Sequence, residues 1–321
     1  MSNTELRPDE VVCGEPAGDG LEILTPRDVP LGGPRAMRVR RTLPQRQRSL
    51  IGAWCFVDHY GPDDVAATGG MDVPPHPHTG LQTVSWLFSG TIAHRDSAGF
   101  SAEVRPGELN LMTAGRGISH SERSTPATTT LHGAQLWVAL PQEARFVDKT
   151  FEHYAPPVVR GEGWAAQVFL GSLLGSTSPV RTHTPLLGAE LRLDPGTSLD
   201  LDLDAEFEHG VLVDTGSLSI GDASVAKDEL AYRAPGARSM RVVAGDEPVR
   251  ALVLGGPPFG EQIVMWWNFV GRSHDDIAEY RRRWQEEIAT GGGEHYGLPD
   301  DDPGDPLPAP ELPNARIRPR G

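Results

Sequence analysis

The sequence predicts an all-β protein, arranged as two similar units and closed by one C-terminal helix. Three observations carry that expectation. Glycine and proline are abundant, 37 and 29 in 321 residues, and long helical apolar patterns are scarce, which favours a turn-rich β protein over a bundle. Short apolar runs such as "TVSWLFSG", "ELNLMTAG" and "GAQLWVALP" are broken by Gly, Pro, Asp and Ser, the pattern of strands separated by turns. The two halves also echo each other: "SGTIAHRDS" resembles "TGSLSIGDA", and "GELNLMTAG" resembles "DELAYRAPG". An internal duplication follows. The length suits two domains of ordinary size or one large β architecture.

Taken in order, residues 1–20 are polar and rich in Gly and Pro, and read as a loose lead-in. A first strand series occupies 21–155, from "LEILTP" through "QLWVALP". A second occupies 156–270, where Leu199, Leu201 and Leu203 alternate with Asp200, Asp202 and Asp204, a period-2 strand with one wet face. Residues 271–291 hold the helix. Ser273 to Asp276 offers a capping box, Ile277, Tyr280, Trp284 and Ile288 make a stripe to dock on a barrel, and Gly291 is a natural stop. The stretch 292–321 completes a tail with seven prolines after Gly291. It cannot be helical, and reads as either disordered or an extended strap.

Composition excludes several partners. With 44 acidic against 29 basic residues the net charge is -15, so the field repels nucleic acid and anionic membranes. The one basic cluster, "RAMRVRRTLPQRQR", holds Arg35, Arg38, Arg40, Arg41, Arg46 and Arg48 interleaved with apolar residues, and reads as a solvated strand face. Cys13 and Cys55 cannot build a disulfide framework, which suits a reducing compartment. No basic-then-apolar leader and no run of about 18 apolar residues occurs. The chain is expected to be a soluble cytoplasmic protein and a monomer.

The chemistry concentrates in two short stretches. In "MDVPPHPHTGLQT", His76 and His78 stand at i and i+2, and an extended strand points such residues to one face. In "TAGRGISHSERS", His120 and Glu122 repeat the spacing. Two such pairs can converge inside a barrel, whose inward positions alternate along each strand. Three imidazoles and a carboxylate suit Fe, Mn, Ni, Cu or Zn, with two positions left for water or substrate.

These stretches, together with "RRTLPQRQR", "FVDHYGP", "PPHPHTGLQTVSWLFSGTIAHRDSAG", "RPGELNLMTAGRGISHSE" and the Trp-Asn-Phe-Val run of "MWWNFVG", resemble the pirins, two-domain members of the cupin superfamily. The resemblance is dense over about 35–125 and looser elsewhere. It implies two cupin-type barrels, the first holding one metal, described in the family as iron, through His76, His78, His120 and Glu122, and the second holding none. Here the second half has no His/Glu pair, and His183 and His209 stand alone with structural or surface roles. Gln82 sits where the general cupin pattern has a glutamate ligand; an amide is a poor ligand, which leaves Glu122 as the one carboxylate. His59 and His94 fall within family-like stretches and read as packing at turns or strand ends, with a hydrogen bond to a ligand as the alternative. Gly115 and Gly117 let the backbone turn before the ligand strand, and Arg116 reads as an exposed turn residue.

The resemblance further implies a quercetin 2,3-dioxygenase-type oxidoreductase. Such an enzyme opens a flavonol, or a similar aromatic enol, with O2 and releases carbon monoxide. Glu122 would be the base that takes the 3-hydroxyl proton. The alternative is a non-enzymatic iron-dependent redox sensor that binds a transcription factor or a metabolic enzyme.

Overall fold

The computed structural model describes residues 21–30 and 37–321. The lead-in 1–20, Cys13 and Arg35 lie outside the described residues. The strands form two barrels of one design. In the first, a seven-stranded sheet runs Thr150–Tyr154, Leu109–Thr113, Leu81–Ser89, Thr130–Ala139, Trp54–Asp64, Arg38–Leu43, Arg27–Pro30. Its four-stranded companion runs Asp72–His78, Ile118–Ser124, Ile92–Asp96, Ser101–Val104. In the second barrel the seven are Leu21–Leu24, Leu230–Arg233, Glu208–Thr215, Val249–Gly256, Leu187–Leu193, Trp164–Leu170 and Val158–Gly161. The four are Ser198–Asp202, Ser239–Ala244, Leu218–Ile220 and Ala223–Val225. Strand for strand the lists correspond. The segments that echo in sequence therefore occupy equivalent places: Ile92–Asp96 matches Leu218–Ile220, and Leu109–Thr113 matches Leu230–Arg233.

One strand sits differently from the sequence reading. Leu21–Leu24, assigned there to the first unit, pairs antiparallel with Leu230–Arg233 of the second barrel. Alternating burial marks a strand but does not name its partner.

The two barrels share an apolar layer. Trp54, Val84, Trp86, Leu111 and Leu136 from the first meet Phe169, Leu212, Leu252 and Leu254 from the second. Trp86 stacks on Phe169 at 4.5 Å between centroids, and its indole N–H donates to Glu190 across the joint at 2.7 Å. Such pairs add about 0.5–1.5 kcal/mol beyond the area they bury. Gly52 has a φ of +53°, and a Cβ there would stand 2.7 Å from the Gly256 Cα. Only glycine allows that approach.

The barrel interiors differ in kind. The second is filled by Leu191, Leu199, Leu201, Val211, Met240, Val242 and Val253. The strands of the first that correspond to those bearing Leu199, Leu201, Met240 and Val242 carry His76, His78, His120 and Glu122 instead, all buried. Buried polar groups are costly unless paired, so this exchange is a feature of the first barrel to be explained.

The basic cluster is not the solvated face expected of it. Arg41 is 1% exposed, donates through Nε and Nη2 to both carboxylate oxygens of Asp58 at 2.7 and 2.8 Å, and lies over the Phe56 ring. Arg48 covers the Tyr232 ring and pairs with Glu22 at 2.8 Å. Arg40 reaches Asp228 of the second barrel at 3.1 Å. Arg38 and Arg46 are exposed. Each inward arginine is neutralised by a carboxylate that sequence proximity does not reveal.

The long helix spans His274–Ala289, with the Ser273 side chain accepting from the Asp276 N–H at 3.1 Å. Ile277, Tyr280 and Trp284 are its buried residues. They pack on Trp266, Trp267 and Phe269 and on Tyr296 and Ala309 of the tail. A further short helix, Val65–Thr68, was not expected; the Asp64 side chain caps it. The tail is an extended strap. Ser119 donates to the Gly297 carbonyl at 2.6 Å, Ser121 donates to Asp302, and Arg123 forks onto both Asp302 oxygens at 2.7 and 2.9 Å. The Leu307 N–H donates to the Pro75 carbonyl at 2.8 Å. The strap thus grips the strands Ile118–Ser124 and Asp72–His78. Among the described residues no helix is long and apolar enough to cross a membrane.

Candidate metal centre

The prolines around the paired histidines now have a reason. Asp72–His78 is the edge strand of its sheet, and Pro74, Pro75 and Pro77 lack the N–H that an inner strand would need. The pairing shifts between His120, opposite His76, and Glu122, opposite Val73. Three residue steps on the proline strand thus face two on its neighbour, a bulge that re-aims side chains.

His76, His78 and His120 have no exposed surface, and one ring nitrogen from each lies within 4.8 Å of the others. Their outward nitrogens are engaged. His76 Nδ1 is 2.9 Å from the Pro74 carbonyl oxygen, and His78 Nδ1 is 3.2 Å from that of Asn268. Both carbonyls only accept, so both Nδ1 atoms carry the proton and donate. Each Nε2 is then a bare lone pair. The His76 Nε2 has no hydrogen-bond partner, and His78 Nε2 stands 3.1 Å from His120 Nε2. Burial holds all three well below the ordinary histidine pKa, with the neighbouring imidazoles acting in the same direction. The cluster is neutral and electron-rich.

Glu122, 1% exposed, joins through an overlapping group with His120 and His94. Its charge contributes to pushing the buried Tyr60 hydroxyl up, after burial itself. His78 meets the Trp137 ring edge-on at 5.2 Å, and Trp137 stacks on Phe56 at 4.0 Å, so one side of the cluster is aromatic. Gln82 is buried and donates to the Thr113 hydroxyl at 2.9 Å. Arg116 is an exposed turn residue paired with Asp148. Gly115 has a φ of +52°, and a Cβ there would strike the Val147 carbonyl at 1.9 Å.

Two histidines read as local packing do more. His94 lies within its strand, with Nδ1 3.3 Å from His120 Nδ1 and Nε2 3.1 Å from Asp96 Oδ2. The spacing His94, Asp96 is a third i, i+2 pair, and that signal was available in "AHRDS". His59 lies between the barrels, where its Nε2 and that of His132 each stand 2.5 Å from Asp214 Oδ1. Burial would raise the Asp214 pKa, but hydrogen bonds from His132 and His59 outweigh it and hold the carboxyl well below its usual range. These three also have metal-ligating types, but their protons are placed otherwise. Arg250 Nη2 can only donate, so His132 Nδ1, 3.3 Å away, accepts. His132 Nε2 then carries the proton given to Asp214. The group is an ionic clamp across the joint. His209 is buried and His183 exposed.

Two stacked barrels of one topology, the first lined with buried imidazoles and the second filled with aliphatic side chains, define a two-domain cupin. Residues 36–138 match the family model described as Pirin, and residues 188–289 match the one described as Pirin C-terminal cupin domain. The chain belongs to the pirin family. It is 43% identical over 317 residues to a Pseudomonas aeruginosa protein provisionally named quercetin 2,3-dioxygenase, covering 98% of each. It superposes with a TM-score of 0.86 on the crystal structure of quercetin 2,3-dioxygenase from Acinetobacter baumannii, at 39% identity, over 93% of this chain and 97% of that one. A bacterial pirin from Escherichia coli solved in complex with nickel(II) shares the fold, with a TM-score of 0.58 at 19% identity over 74% of this chain.

Proposed function

We propose that the protein is a metal-dependent dioxygenase that cleaves flavonols, or similar aromatic enols, with O2 and releases carbon monoxide. One divalent transition metal, iron(II) in this reading, is held by His76, His78, His120 and Glu122. The observation that carries the proposal is the convergence of three buried imidazoles, with the His76 Nε2 unpartnered and the bare His78 Nε2 3.1 Å from His120 Nε2. An acceptor buried without a donor is costly, and a cation held among the imidazoles would satisfy it. The separation fits neighbouring ligands on one ion at about 2.0–2.2 Å. The donor set, imidazole plus carboxylate, suits Fe, Ni, Mn, Cu or Zn.

When bound, such an ion supplies open positions at which a flavonol oxygen and O2 are brought together. The protein's residues do the rest. Glu122, buried beside the imidazoles, would accept the proton of the substrate 3-hydroxyl at a carboxylate oxygen. The Nδ1 hydrogen bonds to Pro74 and Asn268 hold His76 and His78 in one tautomer and one orientation. Trp137 and Phe56 keep that side dry. Because the imidazoles have no exposed surface, a flavonol reaches them only when covering segments part. The similarity to proteins named for quercetin 2,3-dioxygenase supports the choice of substrate class.

The test is oxygen uptake and carbon monoxide release with a flavonol panel on iron-loaded protein, beside metal analysis of protein purified without chelators. Glu122→Gln should lose at least about 100-fold in turnover per bound metal while keeping part of the metal. An unchanged rate per metal would place the base elsewhere. If fully loaded wild type consumes no O2 with any flavonol, the enzymatic reading falls, and partner binding that follows the iron oxidation state becomes the reading to pursue.

A further inference from the structure

His76 and His78 donate their Nδ1 protons to backbone carbonyls, but His120 has no carbonyl there; its Nδ1 faces another imidazole. Which of those two rings holds the proton decides whether His120 can ligate at all. A chain of contacts answers it. Asp96 Oδ1 accepts the N–H groups of Ala98 and Phe100 at 2.9 and 3.1 Å, so the carboxylate is anchored by its own turn. Its Oδ2 is left to His94 Nε2, at 3.1 Å. A carboxylate only accepts, so His94 Nε2 carries a proton, and where that is the ring's one proton His94 Nδ1 is the acceptor. His120 Nδ1, 3.3 Å away, must donate to it, which leaves His120 Nε2 bare and turned toward His78 Nε2. All three residues are at most 3% exposed, so the chain of contacts is closed to bulk water. Phe151 holds the His94 ring at 4.9 Å.

We infer that His94 and Asp96 form a positioning relay that fixes the tautomer of His120 and so sets the metal affinity of the first barrel. His94 and Asp96 do not ligate. This rests on the metal site proposed above, and it reassigns His94 from the competing group His94, His120 and Glu122 to an outer partner of His120. The relay makes an unusual demand on Asp96. Asp96→Asn keeps the size and the turn, but an amide NH2 facing His94 Nε2 makes that nitrogen an acceptor. His94 Nδ1 then carries the proton, His120 Nδ1 must accept it, and the His120 proton moves to Nε2, where it blocks the metal.

The experiment uses the full chain freed of metal, titrated with Ni2+ alone against a competing chelator, and with Co2+ alone for its visible spectrum. His94→Phe and Asp96→Asn should each weaken Ni2+ about 10–100-fold, the usual effect of losing an outer partner of a ligand. Their apo melting curves control for folding. His94→Gln, whose amide can accept from His120 and donate to Asp96, should recover most of the affinity. At saturation the Co2+ spectrum of His94→Phe should equal wild type, because the ligands are unchanged. A changed Co2+ spectrum with no rescue by Gln would make His94 a ligand and overturn the relay. Wild-type Ni2+ affinity in both His94→Phe and Asp96→Asn would also overturn it. If wild type itself binds neither ion, the metal site falls rather than the relay alone.

Discussion

Lowering the pH from 7.5 to 5.5 should unfold the metal-free protein far more readily than its carboxylates alone would allow. His76, His78 and His120 are neutral in the fold, with burial holding each well below the ordinary value of 6.5. In the unfolded chain they titrate near 6.5, so below that pH the unfolded state binds protons that the folded state refuses. Stability from these groups is complete above 6.5 and is lost as the pH falls beneath it. One pH unit below 6.5, each such histidine costs about 1.4 kcal/mol, so three cost about 4 kcal/mol. His209, pushed down to about 4 mainly by burial, adds about one more. The total is a large part of the 5–15 kcal/mol that folded domains typically hold. The carboxyl of Asp214 is depressed from 3.8, so its loss begins below this window. Urea denaturation at the two pH values, with a chelator present, measures the difference. A fall smaller than about 1.5 kcal/mol, the yield of a single histidine, would mean that the imidazoles take up protons inside the fold.

Further outcomes follow from other contacts. His76→Ala and His120→Ala should lose metal and turnover together, read by metal analysis and O2 uptake, since each removes a proposed ligand. Arg41→Met should destabilise by about 3–5 kcal/mol in denaturant, because it leaves Asp58 buried without its bidentate partner; Arg41→Met with Asp58→Leu should recover much of that. Trp284→Ala should cost about 3–5 kcal/mol and speed proteolysis of the tail, since Trp284 is fully buried and donates to the Leu307 carbonyl at 2.8 Å. Gly52→Ala should lower the melting temperature, because its φ of +53° and the 2.7 Å approach to Gly256 are both denied to a side chain.

Period-2 spacing made the centre legible. His76 with His78, and His120 with Glu122, each share a face because a strand repeats every two residues, and no long-range knowledge is needed to see that. The helix was legible because its cap and its stripe are local. What the sequence concealed is pairing at a distance. Arg41 looks like surface charge until Asp58 is placed beside it on the adjacent strand. His59, His132 and Asp214 come from three strands of two barrels, and no spacing rule joins them. His94 with Asp96 lies between these cases, local in spacing but meaningful only once His120 stands across the sheet.

The strap along the strands of the paired histidines and of Glu122 carries a consequence for biosynthesis. Ser121 and its partner Asp302 are 181 residues apart in the chain, and Thr79 and Tyr296 are 217 apart. At about 5–20 residues per second, ribosomes need roughly ten to forty seconds to make such a stretch. During that interval the nascent first barrel has its imidazoles, but the outer face of the strand that bears His120 and Glu122 lacks the tail that Ser119, Ser121 and Arg123 hold. The strands that aim the proposed ligands are therefore backed only as translation ends, and a chain stopped before Asp302 would carry His120 and Glu122 on a strand whose Ser121 and Arg123 lack their partner.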